Sequence, residues 1–155
     1  MIKTPNSVTI TRPANTTAYT ALDVIGDANG SAILQFKNVA SPACFDTIIT
    51  SAELMIYAAS VPSGMTGFNL RLYNQAPTPI ADNAAWDLAV ADREFYIGNI
   101  ALGTPIDEGN TLFLDTDGIN KQVALITNDI YVVLQTIGGF TPTSGMIFKL
   151  TIHTV

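Results

Sequence analysis

Cysteine, histidine and charge are scarce in this chain. Among 155 residues there is one cysteine, Cys44, and one histidine, His153. A lone cysteine excludes an internal disulfide and a thiolate zinc site. We expect Cys44, just before a strand, to be a buried structural thiol. A lone histidine leaves little for triad chemistry, which needs a base held by a nucleophile and an orienting partner. His153 falls on the outward face of the last, edge-type strand, which predicts an exposed side chain rather than a general base.

Charged residues make up 13% of the chain, against about 25% in ordinary domains. The seven basic residues are scattered and the formal net charge is −6. Nucleic acid is therefore not an expected partner, since phosphate binding needs clustered Lys and Arg. No apolar run approaches the ~20 residues that cross a bilayer as a helix, so no membrane partner is expected. The first residues, Met1 to Asn6, show no apolar secretory core. A phosphate-cradling G-x-x-x-x-G-K-[ST] is absent. Asp115-Thr116-Asp117-Gly118 brings its glycine too early for a calcium loop, and reads as an Asp-Gly hairpin turn leading to a partner strand at 121–126. Glu53, Glu94 and Glu108 carry no sign of desolvation, so paired-carboxylate hydrolysis is not expected. No catalytic residue, metal site or cofactor is assigned.

Period-two alternation is what the sequence does contain. Ser31–Val39, Thr47–Ala59, Phe68–Tyr73, Glu94–Leu102, Thr111–Thr116, Lys121–Ile126, Asp129–Ile137 and Met146–Val155 read as strands, separated by Gly, Pro and Asn turn signals. Thr47–Ala59 is long enough to bend or to serve two sheets. Asp129–Ile137 is β-branched and largely apolar, as a central strand should be. Residues 74–92 form a long connection with one helical turn over 82–88, capped by Asp82. This pattern predicts an all-β fold, an antiparallel β-sandwich of about eight strands, jelly-roll-like.

Residues 1–17 read as an extended N-terminal arm and 18–155 as the sandwich, whose first strand is 18–25. Within the arm, Ser7–Arg12 alternates and Pro13 stops it. Val8, Ile10 and Arg12 are the candidate partner-binding residues. An arm laid along a neighbour's sheet edge would supply backbone hydrogen bonds. The alternative, an ordinary first strand of its own domain, is equally open here. Tyr73, Trp86 and Tyr96 are a second candidate set, three aromatics away from the apolar rows that could stack on a sugar; burial on a half-covered sheet face is the competing reading.

Several long phrases carry a resemblance. ITRPANTTAYTALDVIGDANGSAILQFKN (10–38), SAELMIYAASVPSGMTGFNLRLYNQAPTPIADNAAWDL (51–88), ALGTPIDEGNTLFLDTDGINKQ (101–122) and GGFTPTSGMIFKLTIHTV (138–155) together resemble small virion structural proteins of tailed bacteriophages. The resemblance implies a capsid decoration, or cement, protein. Such a protein would be made in the host cytoplasm, assemble as a homotrimer and bind the major capsid protein on the capsid exterior. It implies no catalytic residues. A tail-tip or fibre module binding a host receptor or glycan is the alternative.

Overall fold

The structure, a computed structural model, describes residues 5–155. Wherever the sequence alternates, a strand forms. These are β1 (Asn6–Thr11), β2 (Ile33–Phe36), β3 (Asp46–Ile56), β4 (Phe68–Tyr73), β5 (Tyr96–Leu102), β6 (Ile106–Asp107), β7 (Leu112–Thr116), β8 (Lys121–Ala124), β9 (Ile130–Thr136) and β10 (Ile147–Thr154). Sheet one runs β1-β10-β3-β7-β6, with β8 also on β3; sheet two runs β2-β9-β4-β5.

The pairings are nested. β1 pairs with β10, β2 with β9, β3 with β7 and β4 with β5, all antiparallel. Successive pairs alternate between the two sheets. A long hairpin rolled in this way is a jelly roll, so the expected all-β sandwich is what forms. The inward rows, such as Leu54 and Ile56 on β3, Leu70 and Leu72 on β4, and Phe148 and Leu150 on β10, make one core between the sheets.

The two sheets differ on their outer faces. Residues 22–32 and the 74–92 connection lie over sheet two. A second small core of Val24, Ala32, Tyr73 and Val133 forms there, with Ile80, Trp86, Leu88, Tyr96 and Tyr131 packed on it. This explains the unbroken apolar run of β9: Val132, Val133 and Leu134 are all buried, one set under each face. Among the described residues no such second core lies on sheet one, and β3 alternates buried with more exposed residues apart from a break at Thr50 and Ser51.

Several local expectations are corrected. Ser7–Arg12 lies antiparallel along β10 of its own chain, from Asn6↔Ile152 to Thr11↔Ile147. Val8 packs on the common core and Ile10 is buried in it. Residues 6–11 of the expected arm therefore form an edge strand of the chain's own sheet. Residues 1–4 of that arm lie outside the described residues. A strand's period shows that it is half-buried, not whose sheet it joins.

Residues 18–25 form no strand; single bridges join Val24 to Gln135 of β9 and Asp23 to Ala85 of the 74–92 connection. Asp117-Gly118 does not close a hairpin. β7 and β8 both pair with β3, at 52–56 and 46–49 respectively, end to end along that long strand. β3 stays in sheet one, with a register shift opposite His153 and Thr154. β10 lies between β1 and β3 and is not an edge. The one helical turn is a 3-10 turn at Val90–Asp92 rather than at 82–88. The 74–92 connection joins hydrogen-bonded neighbours in one sheet, so the crossings between sheets lie elsewhere.

Candidate functional site

The first cluster gathers where β1 ends. Arg12 is fully buried, and its guanidinium lies 5.0 Å from the Tyr19 ring centroid. Its Nε–H donates to Tyr19 Oη at 2.9 Å, and its Nη1 donates to the Asn15 carbonyl at 2.6 Å. Its Nη2 meets Asp82 Oδ2 at 3.3 Å. Tyr19 in turn donates to Asp82 Oδ1 at 2.5 Å, and the Gly26 N–H donates to the same oxygen at 2.9 Å. A Cβ on Gly26 would stand 3.0 Å from the Asp82 Cβ and N, so a larger residue there would press on Asp82. Burial, and then the bond to Asp82, push the Tyr19 phenol well above its ordinary value. Asp82, expected as a helix cap, is the acid that neutralises this arginine. The cluster joins three segments distant in sequence and leaves no donor set free for chemistry. An open cleft of about 370 Å³ beside it is lined by Pro13, Thr17, Ala28 and Asn83 among others.

The second cluster lies on the outer face of sheet two. There β4 turns Asn69, Arg71 and Tyr73 away from the core, as the alternation predicts. Tyr73, Trp86 and Tyr96 do come together: the Tyr73–Tyr96 centroids are 5.3 Å apart and the Trp86–Tyr96 centroids 5.8 Å. Trp86 Nε1 donates to Tyr73 Oη at 3.1 Å. Tyr73 is not a surface residue, however. It is buried beneath the 74–92 connection, and that burial raises its phenol pKa. Trp86 and Tyr96 are half-buried.

Sequence reasoning missed the residue at the centre of this cluster. The Arg71 guanidinium stacks 4.0 Å from the Trp86 centroid. Its Nε and Nη2 both donate to Gln135 Oε1, at 3.0 and 2.8 Å, and its Nη1 donates to Tyr96 Oη at 3.2 Å. Asn69 Nδ2 donates to the same glutamine oxygen at 3.2 Å. Gln135 is itself buried and fixed through its Nε2 to the Leu22 carbonyl. The signal was present in the sequence: a cation at an outward position of a central strand, with no acid at the outward positions of β4.

The third surface is the outer face of sheet one. Cross-strand register places Thr9, Lys149, Met55, Phe113 and Ile106 in one row, and Ser7, Thr151, Glu53 and Asp115 in the next. His153 Nε2 lies 3.0 Å from Glu53 Oε1 with both side chains part-exposed, so the histidine faces outward as expected. Of the arm candidates, Val8, Ile10 and Arg12 all face inward, because they share the face of Leu150 and Phe148. Cys44 is exposed, not buried, since the 41–45 segment forms a surface turn closed by a Ser41–Cys44 bridge. Among the described residues no group of three or more His, Cys, Asp or Glu side chains is placed to hold a metal. No described helix is long and apolar enough to cross a membrane.

The nested strand order defines the class: a two-sheet jelly roll, an architecture that occurs in viral capsid and lectin domains. No family model and no curated protein matches the chain. Among solved structures it is similar to the K3 cleaved adhesin domain of Lys-gingipain from Porphyromonas gingivalis w83, with 10% identity and a TM-score of 0.31 over 79% of this chain; it spans 63% of that domain's length. It is also similar to a chain in the acid-stable capsid of Helicobacter pylori bacteriophage KHP30, at 9% identity and a TM-score of 0.31, over 99% of this chain and 89% of that one. The Israeli acute paralysis virus particle gives 10% identity and a TM-score of 0.30, over 99% and 69%. The fold assignment rests on strand order and not on these likenesses.

Proposed function

We propose that this chain is a structural virion protein of a tailed phage, a capsid decoration protein that associates with itself, as a homotrimer, and with the major capsid protein on the capsid exterior. It works by non-covalent contact and not by catalysis. The observation that carries this reading is the uncovered outer face of sheet one. Four large apolar side chains stand open there, Ile106 at 62% exposure, Val155 at 50%, Tyr57 at 47% and Ile48 at 38%. Their neighbours in register, Met55, Phe113 and Ile147, are only half-buried. These side chains form two groups on the face, Ile48 with Val155 at one end of β3 and Tyr57, Met55, Phe113, Ile147 and Ile106 at the other, and exposed apolar groups of this kind suit a protein neighbour better than water. The edge strand β1 continues that face through Ser7, Thr9 and Thr11; the Thr11 carbonyl accepts from the Ala28 N–H, and among the described residues no strand pairs with the outer backbone edge at Ser7 and Thr9. The contact residues proposed for β1 are thus these three rather than Val8, Ile10 and Arg12.

Sedimentation of the isolated protein, and its co-sedimentation with purified capsids, tests the proposal. A trimer that binds capsids is expected, and Ile106→Asp should weaken both associations. Val90→Asp is the control, because Val90 is 73% exposed on the 74–92 connection. A strict monomer that ignores capsids overturns the reading. The second reading, a tail-tip or fibre module that binds a receptor or glycan, is favoured by the arginine–aromatic patch on sheet two.

A further inference from the structure

We infer that the patch around Arg71 binds an acidic saccharide, a sugar chain bearing carboxylates. This deepens the glycan reading and does not depend on the capsid reading. The first reason is charge. Among the described residues Arg71 has no ion pair, although this chain is acidic overall and its other clustered arginine, Arg12, has one. The partners of Arg71 are an amide oxygen, a phenol and an indole face, all neutral. Asp92 is near enough for its charge to act on the Tyr73 phenol alongside that of Arg71, yet its carboxylate is bound by the Thr78 N–H and hydroxyl instead. The exposed Asp87 and Glu94 on the flanking segments form no ion pair with Arg71 either.

The second reason is donor geometry. Arg71 has five N–H donors, of which three bonds are formed inside the protein, so donors remain for a ligand. Asn99 on β5 stands directly opposite Arg71 in register. Directly opposed residues share a face about 5 Å apart. Asn99 is exposed and its amide makes no hydrogen bond among the described residues. A guanidinium fixed by Gln135, a free amide, a tyrosine hydroxyl and the edge of Trp86 form a combination of anion, hydroxyl and ring-face contacts. A saccharide with its carboxylate on Arg71, hydroxyls on Asn99 and the Tyr96 phenol, and an apolar ring edge against Trp86 would use all of them. An acidic peptide would bring carboxylates and backbone amides but no array of hydroxyls.

Trp86 is the chain's only tryptophan, so its fluorescence reports this patch alone. The test is titration of the full chain with oligogalacturonate, with a neutral galactose oligomer of equal length and with polyglutamate. Oligogalacturonate should change the emission saturably and the other two should not. Asn99→Asp, an exposed substitution that adds a repelling charge without touching the core, should weaken the response roughly tenfold or more, and Arg71→Gln should do the same. No response to either saccharide overturns both this inference and the glycan reading. An equal response to the neutral oligomer overturns the inference and leaves the glycan reading standing. An equal response to polyglutamate, or a response unchanged in Asn99→Asp, also overturns it.

Discussion

Two arginines in this sandwich sit against aromatic rings, and only one of them is neutralised. Arg12 has Tyr19 beside it and Asp82 across from it, and is sealed from solvent. Arg71 has Trp86 beside it and Gln135 across from it, and is half-open. A buried cation must bring its counter-charge, because desolvation without one is costly. A half-open cation can leave that place to a ligand. The first cluster therefore serves the fold, tying β1, residues 13–26 and the 74–92 connection together. The second has charge and donors left over.

The largest effect should come from removing the segment that carries Arg12. Deletion of residues 1–12 takes away β1, the buried Ile10 and the cation facing Asp82, so we expect loss of the cooperative thermal transition by circular dichroism. A folded deletion variant would show that β1 is dispensable, as a detachable arm would be. Next, Asp82→Ala leaves Arg12 buried with no acid. It should lower stability by about 3–5 kcal/mol in urea denaturation. Arg71→Met removes a cation without stranding an opposite charge, and should cost only about 1–2 kcal/mol. Equal costs at the two sites would erase the distinction between them.

A smaller effect concerns alkaline pH. Burial and the Asp82 bond raise the Tyr19 phenol above its ordinary value of about 10. A raised folded pKa means that the folded state holds the proton more tightly. That stability is fully present below pH ~10 and is lost as pH rises beyond it toward the folded value. Thermal midpoints should thus fall above pH 10, and less steeply in Tyr19→Phe. Tyr73, raised by burial, adds to the same slope.

Much of this arrangement was legible in the residues. Strict alternation in 68–73 gives both the core row Phe68, Leu70, Leu72 and the outward row Asn69, Arg71, Tyr73. The apolar run of β9 marks a strand covered on both faces. The partner of β1 was not legible, because its pairing with β10 spans nearly the whole chain and period two says nothing about the partner. Asp82 looked like a helix cap because its contacts with Arg12 and Tyr19 are 70 and 63 residues away. Whether Tyr73 is exposed or covered was not legible, because its cover, the 74–92 connection, has no period to announce where it will lie.

The side-chain Nε–Hε resonances of Arg12 and Arg71, followed by NMR as oligogalacturonate is added, test the contrast most directly. The account predicts that the Arg71 signal shifts saturably while the Arg12 signal stays in place. An Arg71 signal that does not move, or one that moves together with that of Arg12, would contradict it.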